Sequence, residues 1–290
     1  MLYRGWIVYI KLIIGGFYLV ISGAGYTEDL FRLWHRNSQV AHSAEFIELL
    51  AQLSVEEYGS YRIEVLSPRE QGRVRVELSK HQGINVMVAG ADQQLEHNAL
   101  PIFYPVDRGL LGVRVCLVRA GEQRLQHIDT LSDWRKNQLT IGVGAVWPDR
   151  FVLEANNIPV VTSHVYRNLF PMLLAKRFDC FARSINEIEE EFTSLASPAY
   201  EIDPHLAIIY PMANFIYVSP HSPQLYARLK EGLSNGLKNG AIDAFYREKF
   251  GNTLGRLGFA NRKLLFLPNL QLSPQAQFAI DRYGAMSLAP

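Results

Sequence analysis

The sequence predicts an α/β fold in two lobes, and three features of its order lead there. From residue 30 onward, short apolar runs alternate with helical patterns, as expected of mainly parallel sheets with helices packed on them. The alternation comes in two blocks, parted by the long extended run GLLGVRVCLVRA at 109–120. A second extended return at 214–219 precedes the last strongly patterned helices. The middle block therefore reads as an insertion into the first.

In the first block LFRLW (30–34) is a strand, and SAEFIELLAQLSVEE (43–57) sets Phe46, Leu49, Leu50 and Leu53 on one helical stripe. YRIEVL (61–66) alternates as a strand does, and GINVMVA (83–89) reads as a buried one. GRVRVELSK (72–80) points both ways: Val74, Val76 and Leu78 alternate, yet a parallel crossover wants a helix there, and a helix is the expectation. In the second block LSDW (131–134) starts a short helix, LTIGVG (139–144) is a strand, and PDRFVLEAN (148–156) is a helix opened by Pro148. IPVVT (158–162) is a strand, and SHVYRNLFPMLLAKR (163–177) reads as a helix that Pro171 should kink. FDCFA (178–182) is a strand before an acidic helix at 185–195. LAIIY (206–210) and NFIYVS (214–219) are strands; Ser222-Pro223 open a helix that Gly236 or Gly240 ends, and 241–250 form another. From 251 the chain is punctuated by Gly and Pro and less regular.

Bulk properties narrow the function. A chain of 290 residues with 48% hydrophobic and 20% charged residues has a real core. Its formal charge of +1 and the lack of a basic, aromatic-laced cluster argue against nucleic acid or an anionic membrane as partner. Arg4 and Lys11 precede the apolar run LIIGGFYLVISGAG (12–25), and Ser22-Gly23-Ala24 has the small-x-small form of a cleavage site. Residues 1–24 are thus expected to be a signal peptide; a retained tether would have to bury Lys11 to reach the roughly 20 residues of a membrane span. Cys116 and Cys180 have no CxxC or His-rich company, so no zinc site is expected, and each sits in an apolar run that reads as a buried free thiol. Export would permit their oxidation, and the sequence leaves open whether they meet.

Four segments in order, LPIFYPVDRGLLGVRVCLV, LTIGVGAVWPD, LLAKRFDCFARSINEIEEEF and YPMANFIYVSPHSPQLYARLKEGL, carry a resemblance. Over about residues 30–250 the chain resembles the extracellular solute-binding proteins of family 3, which serve amino-acid uptake, and within them a proteobacterial subgroup with mostly unassigned ligands. The resemblance implies a type II periplasmic-binding fold: two lobes, two crossing strands, a ligand in the cleft and closure about a hinge. Mapped onto this chain, lobe one is 30–113 plus 219–250, lobe two is 119–214, and 251–290 is a C-terminal extension.

Ligands in open α/β sheets sit beyond the carboxyl ends of strands, so candidates are sought after each strand. The first strand is followed by His35, Arg36 and Asn37, of which His35 is carried forward as a cleft residue; a plain polar loop is the other reading. After 84–89 comes Asp92, which would meet a cationic group or cap the next turn. Amino-acid-binding members of the family usually place a carboxylate-clamping arginine shortly afterwards, and here that position is Leu95. The run GVGAVWPD lacks the third glycine of a dinucleotide fingerprint, because Trp147 stands there. Gly144 and Ala145 would let backbone N–H groups approach an anion, and Trp147 would stack on a solute or pack between elements. Arg183 follows 178–182 and is the leading ligand contact. Ser184 and Glu187 have the S-x-x-E form of a capping box, and the acidic run 187–191 reads as a solvated helix face.

No G-x-S-x-G or H-E-x-x-H occurs, the histidines are scattered, and no cofactor motif stands out. The expected function is therefore non-catalytic: a monomeric periplasmic receptor for a small polar solute, read in its closed form by an inner-membrane transporter or sensor. A sensory protein that has lost the usual amino-acid ligand is the alternative. An enzyme would need an acid and a base across the cleft, and only Asp92 with Glu187 offers such a pair.

Overall fold

The computed structural model describes residues 28–284 apart from 41, 81 and 82, so the expected signal peptide over 1–24 lies outside the described residues. The strands are, in chain order, β1 (Asp29–Leu33), β2 (Tyr61–Val65), β3 (Val86–Gly90), β4 (Leu100–Ile102), β5 (Val113–Arg119) and β6 (Ile141–Gly144). They continue as β7 (Val160–Ser163), β8 (Cys180–Ser184), β9 (Tyr200–Ile202), β10 (Leu206–Ile209), β11 (Asn214–Val218) and β12 (Lys263–Phe266). They form two sheets, so the α/β two-lobed class holds. The first has the order β2-β1-β3-β11-β4 and the second β12-β10-β5-β8-β6-β7, with β9 on β5. In the first, β2, β1 and β3 run parallel and β11 enters antiparallel. In the second, β8, β6 and β7 run parallel, and β5 lies antiparallel to β8 and β10.

Helices α1 (Ser43–Gln52), α2 (Val55–Tyr58), α3 (Gln71–Ser79) and α4 (Gln93–Asn98) belong to the first stretch. The expected 43–57 helix is thus broken, and its stripe is kept by buried Phe46 and Leu50. In α3, Val74 and Leu78 are buried while Val76 is 49% exposed, which settles the two-sided reading for a helix: its pattern repeats at four, not two. The second stretch holds α5 (Leu131–Lys136), α6 (Pro148–Ala155), α7 (Leu169–Leu174) and α8 (Ile188–Leu195). No long kinked helix spans 163–177. β7 runs on to Ser163, and Pro171 is the third residue of α7, in the first turn, where a missing N–H is no loss.

Two further corrections fall here. Cys116 and Cys180 are not free thiols: they form a disulfide between neighbouring strands β5 and β8, with Cα atoms 5.0 Å apart. Ser184 and Glu187 form no capping box. Ser184 is the last residue of β8 and donates to Leu110 O at 3.1 Å, while α8 begins only at Ile188. A capping box is formed elsewhere, by Thr130 and Asp133 at the start of α5.

After β11, α9 (Pro223–Asn239) and α10 (Ala241–Phe250) pack on the first sheet. Gly232 lets α9 touch α1, since a Cβ there would stand 1.9 Å from Leu50 O. The fully buried Arg228 of α9 donates to Asp29 and to the carbonyls of Ser60, Ala51 and Gly59. Gly240 ends α9 in the left-handed region, at φ 81°. The tail is more regular than its sequence suggests. A short turn, α11 (Thr253–Arg256), precedes β12, which adds an edge to the second sheet parallel to β10. The chain then runs back along 209–211 and ends in α12 (Pro274–Tyr283), whose Tyr283 ring lies 4.8 Å from that of Tyr104. Two passages therefore link the sheets, 103–112 and 210–213, and a third, 267–273, leads from β12 to α12. The first two lie side by side, Tyr210 N donating to Gly112 O at 3.1 Å, and the third is held to the second by Leu267 N to Ile209 O at 2.8 Å.

Candidate functional site

The crevice between the sheets is bordered by residues that follow β1, β3, β6 and β8. Its inner part is a cavity of only about 80 Å³ among Asn37, Gly90, Arg114, Trp147, Asp149 and Arg183. That holds a few waters and no solute of amino-acid size. Asn37 is spent on the scaffold: its side chain pairs with both Val88 O and Val88 N, at 2.9 and 3.0 Å.

Arg183 does reach the crevice, but it is not free. Its side chain is 3% exposed and donates to Glu191 at 2.5 and 2.6 Å and to Glu187 at 2.7 Å. The acidic run is therefore not a solvated face at these two positions: the loop 185–187 and the first turns of α8 swing both carboxylates back under the end of β8. The guanidinium carbon lies 4.8 Å from the Trp147 ring centre, 5.3 Å from Phe181 and 5.5 Å from Tyr166. Burial opposes the Arg183 charge, but Glu191, Tyr166 and Glu187 together outweigh it and the pKa is raised. Burial likewise opposes ionisation of Glu191, and Arg183 holds it below the usual carboxylate range, whereas burial wins at Glu187 and raises it. Arg183, Glu187 and Glu191 thus form a buried ionic cluster within one lobe, reached from the other by Arg36.

A second buried unit sits at the base of the crevice. Arg114 of β5 is ion-paired to Asp149 of α6, Arg114 Nε donates to Tyr210 Oη at 3.1 Å, and Tyr210 Oη donates to Asp149 at 2.5 Å. Asp107, fully buried in the first passage, accepts from Gly109 N, Leu111 N and the side-chain amide of Asn214 at 3.0, 3.1 and 2.9 Å. Burial pushes its carboxyl up to about 7 against these donors.

The other expected residues divide. Trp147 forms a wall of the crevice, stacked on Phe181 at 15° and tilted on Tyr166. Gly144 makes room for it, because a Cβ there would meet the indole at 2.6 Å. Gly144, Ala145, Trp147 and His35 all border an outer cavity of about 410 Å³. His35 accepts from Arg69 N at 3.4 Å, and burial lowers its pKa. Asp92 is not brought to either cavity. It caps α4 through Leu95 N at 2.9 Å and pairs with Arg75 at 2.6 Å. Leu95 is 3% exposed in the core, so nothing there clamps a carboxylate.

Of the residues that join the lobes, sequence reasoning names Arg36 among three candidates but carries His35 forward instead, and it misses the others. Arg36 donates to Glu191 at 3.1 Å and lies 4.3 Å over the Tyr166 ring. Tyr166 Oη donates to Glu191 at 2.6 Å, while its backbone N donates across to Glu70 at 3.4 Å. Arg75 donates to Val146 O at 3.1 Å. Tyr166 and Arg167 follow β7 and obey the rule that located the other candidates; assigning 163–177 to one helix concealed them.

No protein-family profile and no curated protein matches the chain. Solved structures do. An ancestral arginine-binding protein bound to arginine is similar with 14% identity and a TM-score of 0.55, over 77% of this chain and 99% of that one. The arginine-, lysine-, histidine-binding protein ArtJ of Geobacillus stearothermophilus is 13% identical with a TM-score of 0.54, over 80% and 100%. The GluR0 ligand-binding core of Nostoc punctiforme, in complex with L-glutamate, is 15% identical with a TM-score of 0.53, over 76% and 98%. The fold is thus the two-lobed type II fold of periplasmic binding proteins.

Proposed function

We propose that this chain is an exported, periplasmic binding protein that takes a small polar solute between its lobes and closes on it, for delivery to an inner-membrane transporter. The carrying observation is the outer cavity of about 410 Å³, walled by both lobes at the ends of their parallel strands. Its size suits a small metabolite. A solute seated there would touch Trp34 and Arg36 on one side and Trp147 and Tyr166 on the other, so binding would favour the closed arrangement. The lobes would be 30–113 with 219–250, and 119–214. The similar structures bind amino acids, which supports the solute class at its coarsest: small, polar and metabolite-like. The disulfide fits an oxidising compartment. Among the described residues no helix is long and apolar enough to cross a membrane.

The test is a melting screen of the purified protein against a broad metabolite panel. Some solute is expected to raise Tm, a hundredfold excess over Kd adding about 2.7 kcal/mol by linkage, and to reduce the radius of gyration in solution scattering. Tm unmoved by every solute would overturn the proposal.

A further inference from the structure

We infer that the solute is an organic anion with a flat or apolar body and no ammonium group, held in the outer cavity with Arg167 as its charge partner. This rests on the solute-binding reading and names its ligand class. Three observations carry it.

The first is that the buried acids beside the crevice, Glu187 and Glu191, are taken, which leaves Glu70 as the one carboxylate bordering the outer cavity. Glu187 and Glu191 each lie within 2.7 Å of Arg183, and Arg36 and Tyr166 Oη also bond Glu191. The second concerns the aromatic faces. Arg183 lies over Trp147 and Arg36 over Tyr166, so the seats where a ligand cation would be drawn to these rings hold tethered guanidinium groups. A free cation would have to displace side chains fixed in place by covalent attachment.

The third is the charge of the cavity itself. Three arginines, Arg36, Arg69 and Arg167, border it against a single carboxylate, Glu70. Arg36 is paired to Glu191 and Arg69 to Glu77. Arg167 makes no hydrogen bond or ion pair among the described residues, and it stands at the exposed rim. A guanidinium with its fork unused is matched by a carboxylate or phosphate, two parallel N–H···O bonds at once. Trp34 and Trp147 supply apolar wall from opposite lobes, which suits a ring or another flat body. An α-amino acid would bring its ammonium into a chamber bordered by three guanidinium groups and one carboxylate, Glu70, and Leu95 in the core offers its carboxylate nothing.

Three probes that share one ring separate the charge classes by titration calorimetry on the full exported chain: 3-(4-hydroxyphenyl)propanoate, L-tyrosine and tyramine. The propanoate is expected to bind at least tenfold more tightly than either amine-bearing probe. Arg167→Gln should weaken it by about tenfold or more, the loss of a charge-assisted pair, and Arg167→Lys should recover part of that. Glu70→Gln should tighten it. Tighter binding of L-tyrosine or tyramine, or unchanged affinity in Arg167→Gln, would overturn the inference. So would failure of the propanoate to bind while another solute in the panel raises Tm, an outcome that leaves the solute-binding reading intact; no Tm shift from any solute removes both.

Discussion

At the scale of single residues, Arg183 shows how a correct location can hide a different job. Its place near the end of β8 put it at the crevice, as the strand-end rule requires, but two carboxylates from the following segment engage its Nε and Nη2. The sequence carries these acids in plain view at four and eight residues' distance. Reading them as a helix face failed because α8 starts three residues later than an S-x-x-E pattern implies, and the intervening loop turns them inward. Arg183→Ala would leave Glu187 buried without its ion-pair partner and Glu191 with Arg36 alone. Chemical denaturation should show a loss of roughly 3–5 kcal/mol, the cost typical of breaking a buried pair from one side. A loss below about 1 kcal/mol would mean that the carboxylates find water or another partner.

At the scale of elements, what was legible follows from what periodicity can record. Helices α1, α6, α9 and α10 bury a stripe, β1 and β2 alternate in exposure, and β3, β6 and β8 are mainly apolar and buried almost throughout; each of these patterns is written locally. The cap by Asp92 lies three residues from Leu95 and is one of its two sequence readings, whereas the short strands β4 and β9 and the Cys116–Cys180 bond depend on neighbours distant in sequence. The first passage between sheets is such a case. Asp107 there gathers donors from Gly109, Leu111 and Asn214, tying the turn before β5 to the start of β11. Its folded-state pKa is raised from 3.8 to about 7, so the folded protein holds this proton more tightly than the unfolded chain. Its contribution is therefore fully present below about pH 4 and lost as pH rises through about 7, on the order of 1.4 kcal/mol per unit. Asp107→Asn cannot ionise. Urea midpoints measured from pH 4 to 8 should show the parent losing ground against the variant as pH rises; parallel curves would place the carboxyl's titration outside this window.

At the scale of the whole molecule, the lobes are fastened by different means. The first relies on packing and on Arg228, which joins α9 to the β1 and β2 ends. The second adds a covalent clasp, with 64 residues of sequence separation between Cys116 and Cys180. Replacing both cysteines by Ala should cost about 2–4 kcal/mol, as expected for releasing a loop of that length, and a reducing agent should lower the melting temperature of the parent but not of the variant. Equal melting of parent and variant in oxidising buffer would show that the clasp adds nothing beyond packing. The tail carries a different consequence. Because β12 shields the outer side of β10, clipping the chain near residue 260 would bare a row of unpaired amides and carbonyls flanked by Leu206 and Ile208. Such a remnant would keep its crevice and yet be sticky, prone to recruit other copies edge to edge into insoluble stacks.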